Sequence, residues 1–578
     1  MNGDPSRGDN NVAALHGAIA AVVPDRECIV APARAAVGAG GMARAAVGAG
    51  GTYRRLTWRE VTDRTCRFAG VLAGAGLGLR SDPGPGAGDP WESPHDHVAL
   101  YLHNGPEYLE GMLGAWKARC AAVNVNYRYV AAELAYVLRD SDAAAVVYHA
   151  SFAPTLGEVL PDLPGVRLLL QVDDGSGTAR LDGAADYEAA LAAADPLVPA
   201  GLSPDDRYIL YTGGTTGMPK GVLWRQGDFL ATCLGVEGTS ADLVATAARR
   251  GAALRTLPAA PFMHGAAHWN AISAFVAGGT VVVPDRPSRF EPADVLATCE
   301  RERVTALQIV GDPFARPLLE QMDARPYDLS PLRFLLSGGA PLSGPVKARL
   351  LERIPGLRIV DVLGSSETGR QAVAGAEAPA TATGAGPTFR PGDHAVVLSG
   401  DRSRRLAPGD HEVGWLAQAG RVPLGYLGDA AKTAATFPVI DGVRHAVAGD
   451  RVRLLADGAI ELLGRDSVTI NTGGEKVFAE EVEQALTSHP DVADAIVTSR
   501  PSERWGREVV AVVAPRPGTE LSGLHDELRD HCRSSLAGYK VPKAFCWVER
   551  VVRSPAGKPD YAWARAIANG QPAPGVVP

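Results

Sequence analysis

The stretch Tyr208-Ile-Leu-Tyr-Thr-Gly-Gly-Thr-Thr-Gly-Met-Pro-Lys-Gly221 joins a short apolar run to a glycine-rich turn. The apolar run at residues 208–211 predicts a buried strand. The turn offers backbone N–H groups, threonine hydroxyls and the ammonium group of Lys220, which are the donors that bind phosphate. It is not a Walker A loop, because Pro219 precedes the lysine and neither Ser nor Thr follows it. We therefore predict a phosphate-binding loop at residues 212–221.

Composition and charge describe an ordinary folded protein. Of the 578 residues, 46% are hydrophobic and 21% are charged, as is typical of globular chains. The 57 Lys and Arg against 65 Asp and Glu give a net charge of −8, which argues against a nucleic acid partner. The N-terminus has no basic segment followed by an apolar one, and no run reaches the roughly 18 apolar residues of a membrane span. We expect a cytoplasmic protein without a transmembrane segment.

Short apolar runs alternate with helical periodicity over most of the chain, which predicts βαβ units and a parallel sheet. A capping box at residues 57–60, followed by apolar residues at helical spacing, predicts a helix to about residue 77. A second helix is predicted over residues 107–117. The predicted strands of this part are residues 98–102, 143–148, 280–283, 306–310, 333–336 and 357–363.

The pattern changes after about residue 464 to a compact unit, with a predicted helix over 479–486 and predicted strands over 493–497, 508–514 and 544–549. We therefore predict an α/β protein with a large N-terminal domain of βαβ-built sheets, residues 1–466, and a small α+β C-terminal domain, residues 467–578. The segment ARAAVGAGG occurs at residues 33–41 and again at 43–51. Two copies are too few for a solenoid, so we predict a low-complexity insertion at about residues 33–51.

The phosphate loop resembles that of the adenylate-forming superfamily, which comprises acyl-CoA synthetases, peptide-synthetase adenylation domains and beetle luciferases. The family loop reads T-S-G-T-T-G-x-P-K-G, and Gly213 stands where the family has serine. Further motifs match in order over about residues 52–565. Segments 124–129 (NVNYRY), 261–265 (PFMHG) and 473–477 (GGEKV) are similar to actinobacterial fatty- and steroid-acid CoA ligases.

The resemblance implies a nucleotide site that is built from several separate segments. Residues 337–342 (SGGAPL) correspond to the adenine-binding segment, where small residues let a flat ligand approach the backbone. In residues 363–368 (LGSSET), Leu363 replaces the aromatic residue that usually stacks on adenine, and Ser366 keeps the hydroxyl of the usual threonine. Asp450 and Arg465 match the contacts to the ribose hydroxyls. The nucleotide-binding residues implied in this way are Thr212, Gly213, Gly214, Thr215, Thr216, Gly217, Lys220, Gly339, Ala340, Pro341, Leu363, Ser366, Asp450 and Arg465.

The resemblance also implies the catalytic groups. Glu367 stands where the family carries its Mg²⁺ ligand, which suits a cation held by one or two carboxylates and by substrate phosphates. Lys558 matches the catalytic lysine of the last motif, where an ammonium group stabilises charge in the transition state. His264 matches a histidine near the acyl carboxylate, whereas His268 is predicted to be structural. Thr216 completes the predicted catalytic residues.

The C-terminal domain is implied to be mobile and to rotate about a hinge at Asp466 and Ser467. Gly473 and Gly474 fall on the family loop that lines the pantetheine tunnel of CoA. The resemblance thus implies a two-step ligase with ATP, Mg²⁺ and CoA, in which Lys558 serves only the first step. Small residues at Gly265, Ala266, Ala267 and Gly311 suggest room for a long or bulky acid.

Two alternatives to a CoA ligase stay open from the sequence. The first is an acyl-AMP ligase with another acceptor, such as a carrier protein, an amine or oxygen; the chain ends about 20 residues after Lys558, so a carrier would act in trans. The second is a non-catalytic acyl- or nucleotide-binding relative, because Gly213, Leu363 and Ala448 depart from the family pattern. The expected partners are a small carboxylic acid, ATP and CoA. The identity of the acid and the oligomeric state, a homodimer included, stay open.

Overall fold

The structure is a computed structural model that describes residues 10–33, 53–81, 89, 91–214, 217–376, 388–472, 475–502, 506–554 and 557–571. The repeat predicted as an insertion at about residues 33–51 lies almost entirely outside the described residues. Helices and strands are mixed along the chain, with a large N-terminal part made of sheets and a small C-terminal part. The predicted α/β fold class is confirmed.

The helices of the described residues follow one another as α1 (Val12–Val22), α2 (Trp58–Gly74), α3 (Pro106–Lys117), α4 (Ala131–Asp140), α5 (Ala153–Val159), α6 (Tyr187–Ala193), α7 (Gln226–Leu234), α8 (Ser240–Arg250), α9 (Gly265–Val276), α10 (Pro292–Arg301), α11 (Gly311–Ala324), α12 (Gly344–Arg353), α13 (Ala430–Thr436), α14 (Ala479–Thr487), α15 (Leu524–Ser535) and α16 (Tyr561–Ala568).

The strands are β1 (Glu27–Pro32), β2 (Tyr53–Thr57), β3 (His97–Tyr101), β4 (Ala121–Asn124), β5 (Ala143–His149), β6 (Leu168–Val172), β7 (Ala185–Asp186), β8 (Arg207–Gly214), β9 (Gly217–Arg225), β10 (Arg255–Pro258), β11 (Thr280–Val282), β12 (Ala306–Ile309), β13 (Phe334–Gly338), β14 (Arg358–Ser365), β15 (Gly369–Ala376), β16 (Thr388–Pro391), β17 (Ala395–Leu398), β18 (Val413–Ala419), β19 (Gly425–Tyr426), β20 (Val439–Ile440), β21 (Val443–Ala446), β22 (Asp450–Leu454), β23 (Ile460–Arg465), β24 (Ile470–Thr472), β25 (Glu475–Val477), β26 (Val492–Ser502), β27 (Gly506–Pro515) and β28 (Ala544–Trp547).

One sheet carries the phosphate loop. Its strands lie in the order β19-β9-β8-β4-β3-β5-β6-β7 among the described residues. Strands β4, β3, β5 and β6 are parallel, as the βαβ pattern predicts. Strands β8 and β9 instead form an antiparallel hairpin, and the phosphate loop is its tip.

A second, larger sheet combines a parallel and an antiparallel half. Strands β11, β10, β12, β13 and β14 pair in parallel, and four of them are strands that the sequence predicts. From β14 the sheet continues through antiparallel partners to β15, β16, β23, β22 and β18. The sequence analysis predicts no elements in this antiparallel half.

The elements after Asp466 pack around a core of their own. Strands β26, β27 and β28 form a sheet, and helices α14, α15 and α16 bury residues such as Val482, Leu528 and Trp563 beside it. The strands and the helix predicted here are confirmed within a few residues. Among the described residues, no helix is both long enough and apolar enough to cross a membrane.

Candidate active site

The phosphate loop is positioned by the β8–β9 hairpin. Thr212 and Lys220 are directly opposite each other across the hairpin, so both flank its tip. Gly221 has no room for a side chain, because a Cβ there would lie 2.8 Å from the ring of Tyr211. The backbone of Gly213, Gly214 and Gly217 completes the strand ends around the tip. Thr215 and Thr216, the remaining predicted donors, lie outside the described residues.

Lys220 has a carboxylate partner that the sequence analysis does not predict. Its Nζ lies 2.7 Å from Oδ2 of Asp429 and 5.6 Å from the ring centroid of Tyr426. The hydrogen bond from Lys220 is the main cause that lowers the pKa of Asp429. The predicted phosphate-binding cation is therefore held in place by an anion.

The predicted adenine segment leaves β13 and rests on the start of α11. Gly339 has a left-handed φ of 92°, which turns the chain after the strand. The N–H of Asp312 donates to the carbonyl of Pro341 at 2.9 Å. Gly311 also has a left-handed φ of 55°, and a Cβ there would lie 2.4 Å from the Pro341 oxygen and 2.7 Å from the Ala340 oxygen. Close contact with α11 thus fixes the segment.

Glu367 lies in a tight turn between β14 and β15. The Thr368 hydroxyl accepts from the N–H of Ser365 at 3.0 Å, and the Glu367 N–H donates to the Ser365 hydroxyl at 3.2 Å. The indole N–H of Trp224 donates to the Ser366 carbonyl at 2.9 Å, which ties the turn to β9. The Glu367 carboxylate accepts at Oε1 from the Tyr426 hydroxyl at 3.0 Å.

Leu363 lies at the end of β14 and is partly buried against the hydrophobic cluster of the antiparallel half. It belongs to the same turn region as Ser366 and Glu367, beside the strand that leads into the adenine segment. An aliphatic side chain therefore stands where the family carries an aromatic residue.

Asp450 and Arg465 are paired across β22 and β23. Nε of Arg465 lies 3.1 Å from Oδ1 of Asp450, and this carboxylate is the main cause that raises the pKa of Arg465. The N–H of Arg465 also donates to the Glu480 carboxylate of α14 at 3.2 Å. Burial raises the pKa of Glu480. The two predicted ribose contacts therefore form one charged unit at the junction with the C-terminal elements.

Lys558 is brought to this unit by a tight turn. The N–H of Ser554 donates to the Lys558 carbonyl at 2.8 Å, and the N–H of Gly557 donates to the Ser554 carbonyl at 2.8 Å. Lys558 is exposed to solvent, and the surrounding protein lowers its pKa by desolvation. Arg465 lowers this pKa further, whereas Glu367 and Asp450 raise it. Four charged groups from distant segments therefore act on one another at one place.

His264 is affected by the charge of Lys558. It precedes the first residue of α9, and its Nε2 has no hydrogen-bond partner among the described residues. Burial, followed by the charge of Lys558, lowers the pKa of His264 to about 3, so the imidazole is neutral near pH 7. His268 is different, because its ring nitrogens contact the Phe262 carbonyl at 2.6 Å and the Tyr208 hydroxyl at 2.5 Å. The prediction of a structural His268 agrees with these contacts.

The small residues near the predicted acid pocket have packing partners. A Cβ on Gly265 would lie 3.0 Å from Leu210 and 3.2 Å from Trp269. Ala267 is fully buried, and the space at Gly311 is filled by the Ala340 and Pro341 carbonyls. These contacts explain the small residues at positions 265 and 311 by packing, and the expectation that Gly265, Ala266, Ala267 and Gly311 leave room for a long or bulky acid stays a prediction.

Three residues of this region are absent from the sequence prediction: Tyr426, Asp429 and Glu480. Tyr426 and Asp429 lie in the segment Gly425-Tyr-Leu-Gly-Asp429. Its two glycines indicate a loop, but they do not indicate a binding or catalytic residue. Glu480 lies on a helix that the sequence predicts, where an acidic first turn is ordinary. Gly473 and Gly474, predicted for CoA, fall between β24 and β25 outside the described residues.

Comparison with known proteins gives the family. The model of the family described as AMP-binding enzyme matches residues 30–427, and that of the AMP-binding enzyme C-terminal domain matches residues 481–558. The chain belongs to the AMP-binding enzyme family, and the resemblance to adenylate-forming enzymes is confirmed.

Relatives of known name are similar over nearly the full length. The chain is 48% identical over 562 residues to the medium-chain acyl-CoA ligase Mig of Mycobacterium avium, covering 96% of this chain and 97% of the relative. It is 39% identical to a 3-oxocholest-4-en-26-oate–CoA ligase of Rhodococcus rhodochrous, covering 90% and 92%. Among solved structures, an anthranilate CoA ligase bound to anthranoyl-AMP superposes with a TM-score of 0.76 at 20% identity, covering 97% of both chains.

Proposed function

We propose that this protein is an AMP-forming acyl-CoA ligase that acts on medium- to long-chain or other bulky hydrophobic carboxylic acids. The observation that carries the proposal is that the charges of Glu367, Asp450 and Arg465 act on Lys558. These residues are far apart in the sequence. Desolvation lowers the pKa of Lys558 most, Arg465 lowers it further, and Glu367 and Asp450 raise it. Perturbed charged groups that converge in this way are typical of catalytic sites.

The first step activates the acid. A carboxylate oxygen attacks the α-phosphorus of ATP, the bond to the β-phosphate oxygen breaks, and pyrophosphate leaves with the electron pair. Lys558 stabilises the negative charge shared by the carboxylate oxygen and the α-phosphate. Lys220 and Thr212 hold the outer phosphates with Thr215 and Thr216. Asp450 and Arg465 hold the ribose.

His264 is suited to a neutral role in this step. Because its pKa lies far below neutrality, His264 carries no charge near pH 7. The carboxylic acid substrate is already ionised at this pH, so His264 has no proton to remove from it. Its unpartnered Nε2 is a hydrogen-bonding group that can orient the acid.

The residues present fit Mg²⁺ at Glu367. Tyr426 occupies Oε1, while Oε2 has no hydrogen bond to the described residues and is the hard oxygen donor that Mg²⁺ prefers. When bound, Mg²⁺ neutralises charge on the phosphate oxygens. Glu367 would hold it next to Lys220, because Tyr426 contacts both residues.

The second step transfers the acyl group. The thiolate of CoA attacks the carbonyl carbon of the acyl-adenylate, the mixed anhydride bond breaks, and AMP leaves to give the thioester. Gly473 and Gly474 line the path of the pantetheine, and rotation about Asp466 and Ser467 brings them in and takes Lys558 away. The relatives at 48% and 39% identity are named as CoA ligases, and this supports CoA as the acceptor here.

The proposal is tested by incubating the purified protein with MgATP, CoA and a panel of acids. The panel contains octanoate, palmitate, a steroid side-chain acid and an aryl acid, and the products are acyl-CoA masses and pyrophosphate. We expect one dominant aliphatic or steroid acyl-CoA, and its loss when Mg²⁺ is chelated. Pyrophosphate release without acyl-CoA formation would indicate that the acceptor of the acyl group is a molecule other than CoA. If neither acyl-CoA nor pyrophosphate forms while MgATP still binds, the protein is a non-catalytic relative.

A further inference from the structure

Two asparagine side chains lie at the carboxyl ends of neighbouring parallel strands. Asn124 is the last residue of β4, and Asn104 is the third residue after β3. Both are buried, at 8% and 5% exposed. Strand β8, which leads into the phosphate loop, is parallel to β4 and adjacent to it. The two asparagines therefore lie at the edge of the sheet that carries the phosphate loop, and this is the edge where ligands usually bind in α/β proteins.

The Asn124 side chain continues the pairing of β4 with β8 beyond the end of β4. The two backbones are in register at Val123 and Ile209. Two residues further along β8, the Tyr211 N–H donates to Oδ1 of Asn124 at 2.7 Å, and Nδ2 of Asn124 donates to the Tyr211 carbonyl at 2.9 Å. The side-chain amide therefore binds both backbone groups of the residue that precedes Thr212 of the phosphate loop.

The same amide also binds the segment that leads to His264. Nδ2 of Asn124 donates to the Met263 carbonyl at 2.7 Å, so both amide hydrogens and the amide oxygen of Asn124 have partners. Met263 directly precedes His264, whose N–H donates to the Pro261 carbonyl at 3.0 Å. One side chain therefore connects the strand before the phosphate loop to the turn that carries the imidazole.

Asn104 holds an earlier part of this segment. Its Nδ2 donates to the Ala260 carbonyl at 2.9 Å, and its Oδ1 accepts from the Phe262 N–H at 2.6 Å. A buried polar side chain whose hydrogen bonds are satisfied has a well-defined orientation, so these contacts fix the segment rigidly. Asn104 contacts the His264 segment, whereas Asn124 contacts this segment and β8 as well.

Adenylation requires two ligands that these two segments bind separately. In the proposed function, ATP binds at the phosphate loop that follows Tyr211, and the acid lies beside His264. The relative position of the two ligands sets the rate, because reacting groups that are displaced by about 1 Å react about 10²-fold more slowly. The Asn124 amide bonds to both segments, so it fixes the position of one relative to the other.

We infer that Asn124 is a positioning residue for adenylation, and that its amide fixes the distance between the phosphate loop and the His264 imidazole that orients the acid. This inference rests on the proposed function. It gives a role to the first residue of the segment 124–129 (NVNYRY), which the family resemblance leaves without one. Asn124 acts through the backbone of Tyr211 and Met263 and does not itself contact the reacting atoms.

The test measures pyrophosphate release and MgATP binding in Asn124→Ala, with Asn11→Ala as the matched loss of a buried asparagine. Asn11 donates to the Ser203 carbonyl at 2.8 Å and accepts from the Ala14 N–H at 3.0 Å, just before the opposite end of β8. We expect Asn124→Ala to lower kcat for pyrophosphate release about 10²-fold, as displaced reactants do. The Kd for MgATP, measured by calorimetry on the full chain, is expected to stay unchanged, as is the kcat of Asn11→Ala.

A double-variant cycle with His264→Ala separates positioning from a merely structural role. If Asn124 acts through His264, the loss in the double variant is smaller than the product of the two single losses by about tenfold, because coupled residues are not additive. A variant that is only less stable would lose MgATP-binding sites and unfold at a lower temperature, and its loss would multiply with that of His264→Ala.

Equal kcat values for Asn124→Ala and the wild-type protein, or losses that multiply in the double variant, would overturn the inference and leave the proposed function intact. If Asn124→Ala does not fold, Asn124→Asp takes its place with the same expected loss. Its carboxylate keeps the shape of the side chain and the acceptor for the Tyr211 N–H, but it has no donor for the Tyr211 and Met263 carbonyls. If the wild-type protein releases pyrophosphate with no acid of the panel, the proposed function fails, and the positioning role fails with it.

Discussion

Gly311 is a residue whose backbone supports the nucleotide site. Its φ of 55° lies in the left-handed region, and the carbonyls of Ala340 and Pro341 occupy the space of a side chain. A substitution here strains the backbone of α11 and pushes the adenine segment outward.

We predict that Gly311→Ala lowers the free energy of unfolding by about 2–5 kcal/mol, because Ala in the left-handed region costs about 1–2 kcal/mol and overpacking adds about 1–3 kcal/mol. The KM for ATP should rise at the same time. Gly344→Ala is the control, because no atom lies within 4 Å of its added Cβ and its φ is not left-handed. Denaturant unfolding and initial rates measure both effects. Equal stability of the two variants would contradict the packing described here.

The sequence predicts the site residues that lie in recognisable motifs. It does not predict the residues that are distant from these motifs in sequence and are brought to the site only by folding. Glu367, Asp450 and Lys558 lie in motifs that carry their chemistry. Asp429 contacts Lys220 across 209 positions of sequence, and no local pattern marks such a pair. The residue assignments taken from the resemblance stay predictions until variants are measured.

Helix α3 buries a charged side chain, Lys117. Lys117, in its last turn, is 2% exposed, and its Nζ donates to the Thr65 hydroxyl at 2.7 Å on helix α2. The Lys117 ammonium group donates to the Thr62 carbonyl, the Thr65 hydroxyl and the Cys66 sulfur, which are neutral groups of α2. Desolvation lowers the pKa of Lys117.

Lys117→Met should therefore raise the free energy of unfolding near pH 7 by about 1–3 kcal/mol, because a charged group leaves the core. The unfolded lysine binds a proton more tightly than the folded one, so wild-type stability gains relative to the variant as pH rises towards the unfolded pKa. The advantage of Lys117→Met should shrink between pH 7 and pH 10. Urea unfolding across this range measures it, and a constant or growing advantage would contradict the effect of burial on the lysine.

Elements with a strong local signal are the ones that the sequence predicts. Helix α2 has both a capping box and apolar residues at helical spacing, and the structure shows the reciprocal hydrogen bonds between Thr57 and Glu60. The antiparallel half of the large sheet is different. Strand β16 is short and partly exposed, and it pairs with β23, which is distant from it in sequence.

The C-terminal elements pack against helix α11, which also supports the predicted adenine segment. Gly557, next to Lys558, lies against the start of α11, since a Cβ there would be 3.3 Å from Val310 and 3.5 Å from Cβ of Pro313. Arg316 of α11 also lies 3.4 Å from the Thr487 carbonyl at the end of α14. In the proposed function, we expect this arrangement to place Lys558 for the first step and the second step to require the elements to separate.

A disulfide should hold the molecule in this arrangement. The Cβ spacing of 3.5 Å between positions 313 and 557 suits a disulfide between Pro313→Cys and Gly557→Cys. We predict that the oxidised double variant forms acyl-adenylate but does not convert supplied acyl-adenylate and CoA to thioester. Reduction should restore the second step. Gly557→Cys alone controls for its left-handed backbone, and peptide mass mapping verifies the pairing. Equal thioester rates in both redox states would rule out the rotation.

The most direct test of the central claim is the separate measurement of both half-reactions in Lys558→Ala. Pyrophosphate release with the acid identified by the panel reports the first step, and thioester formation from supplied acyl-adenylate and CoA reports the second. We expect the rate of the first step to fall by at least about 10²–10³-fold, as for removal of one charge-stabilising donor, and the second step to be retained. An equal loss of both steps, or no loss in either, would contradict the role of Lys558 in adenylation.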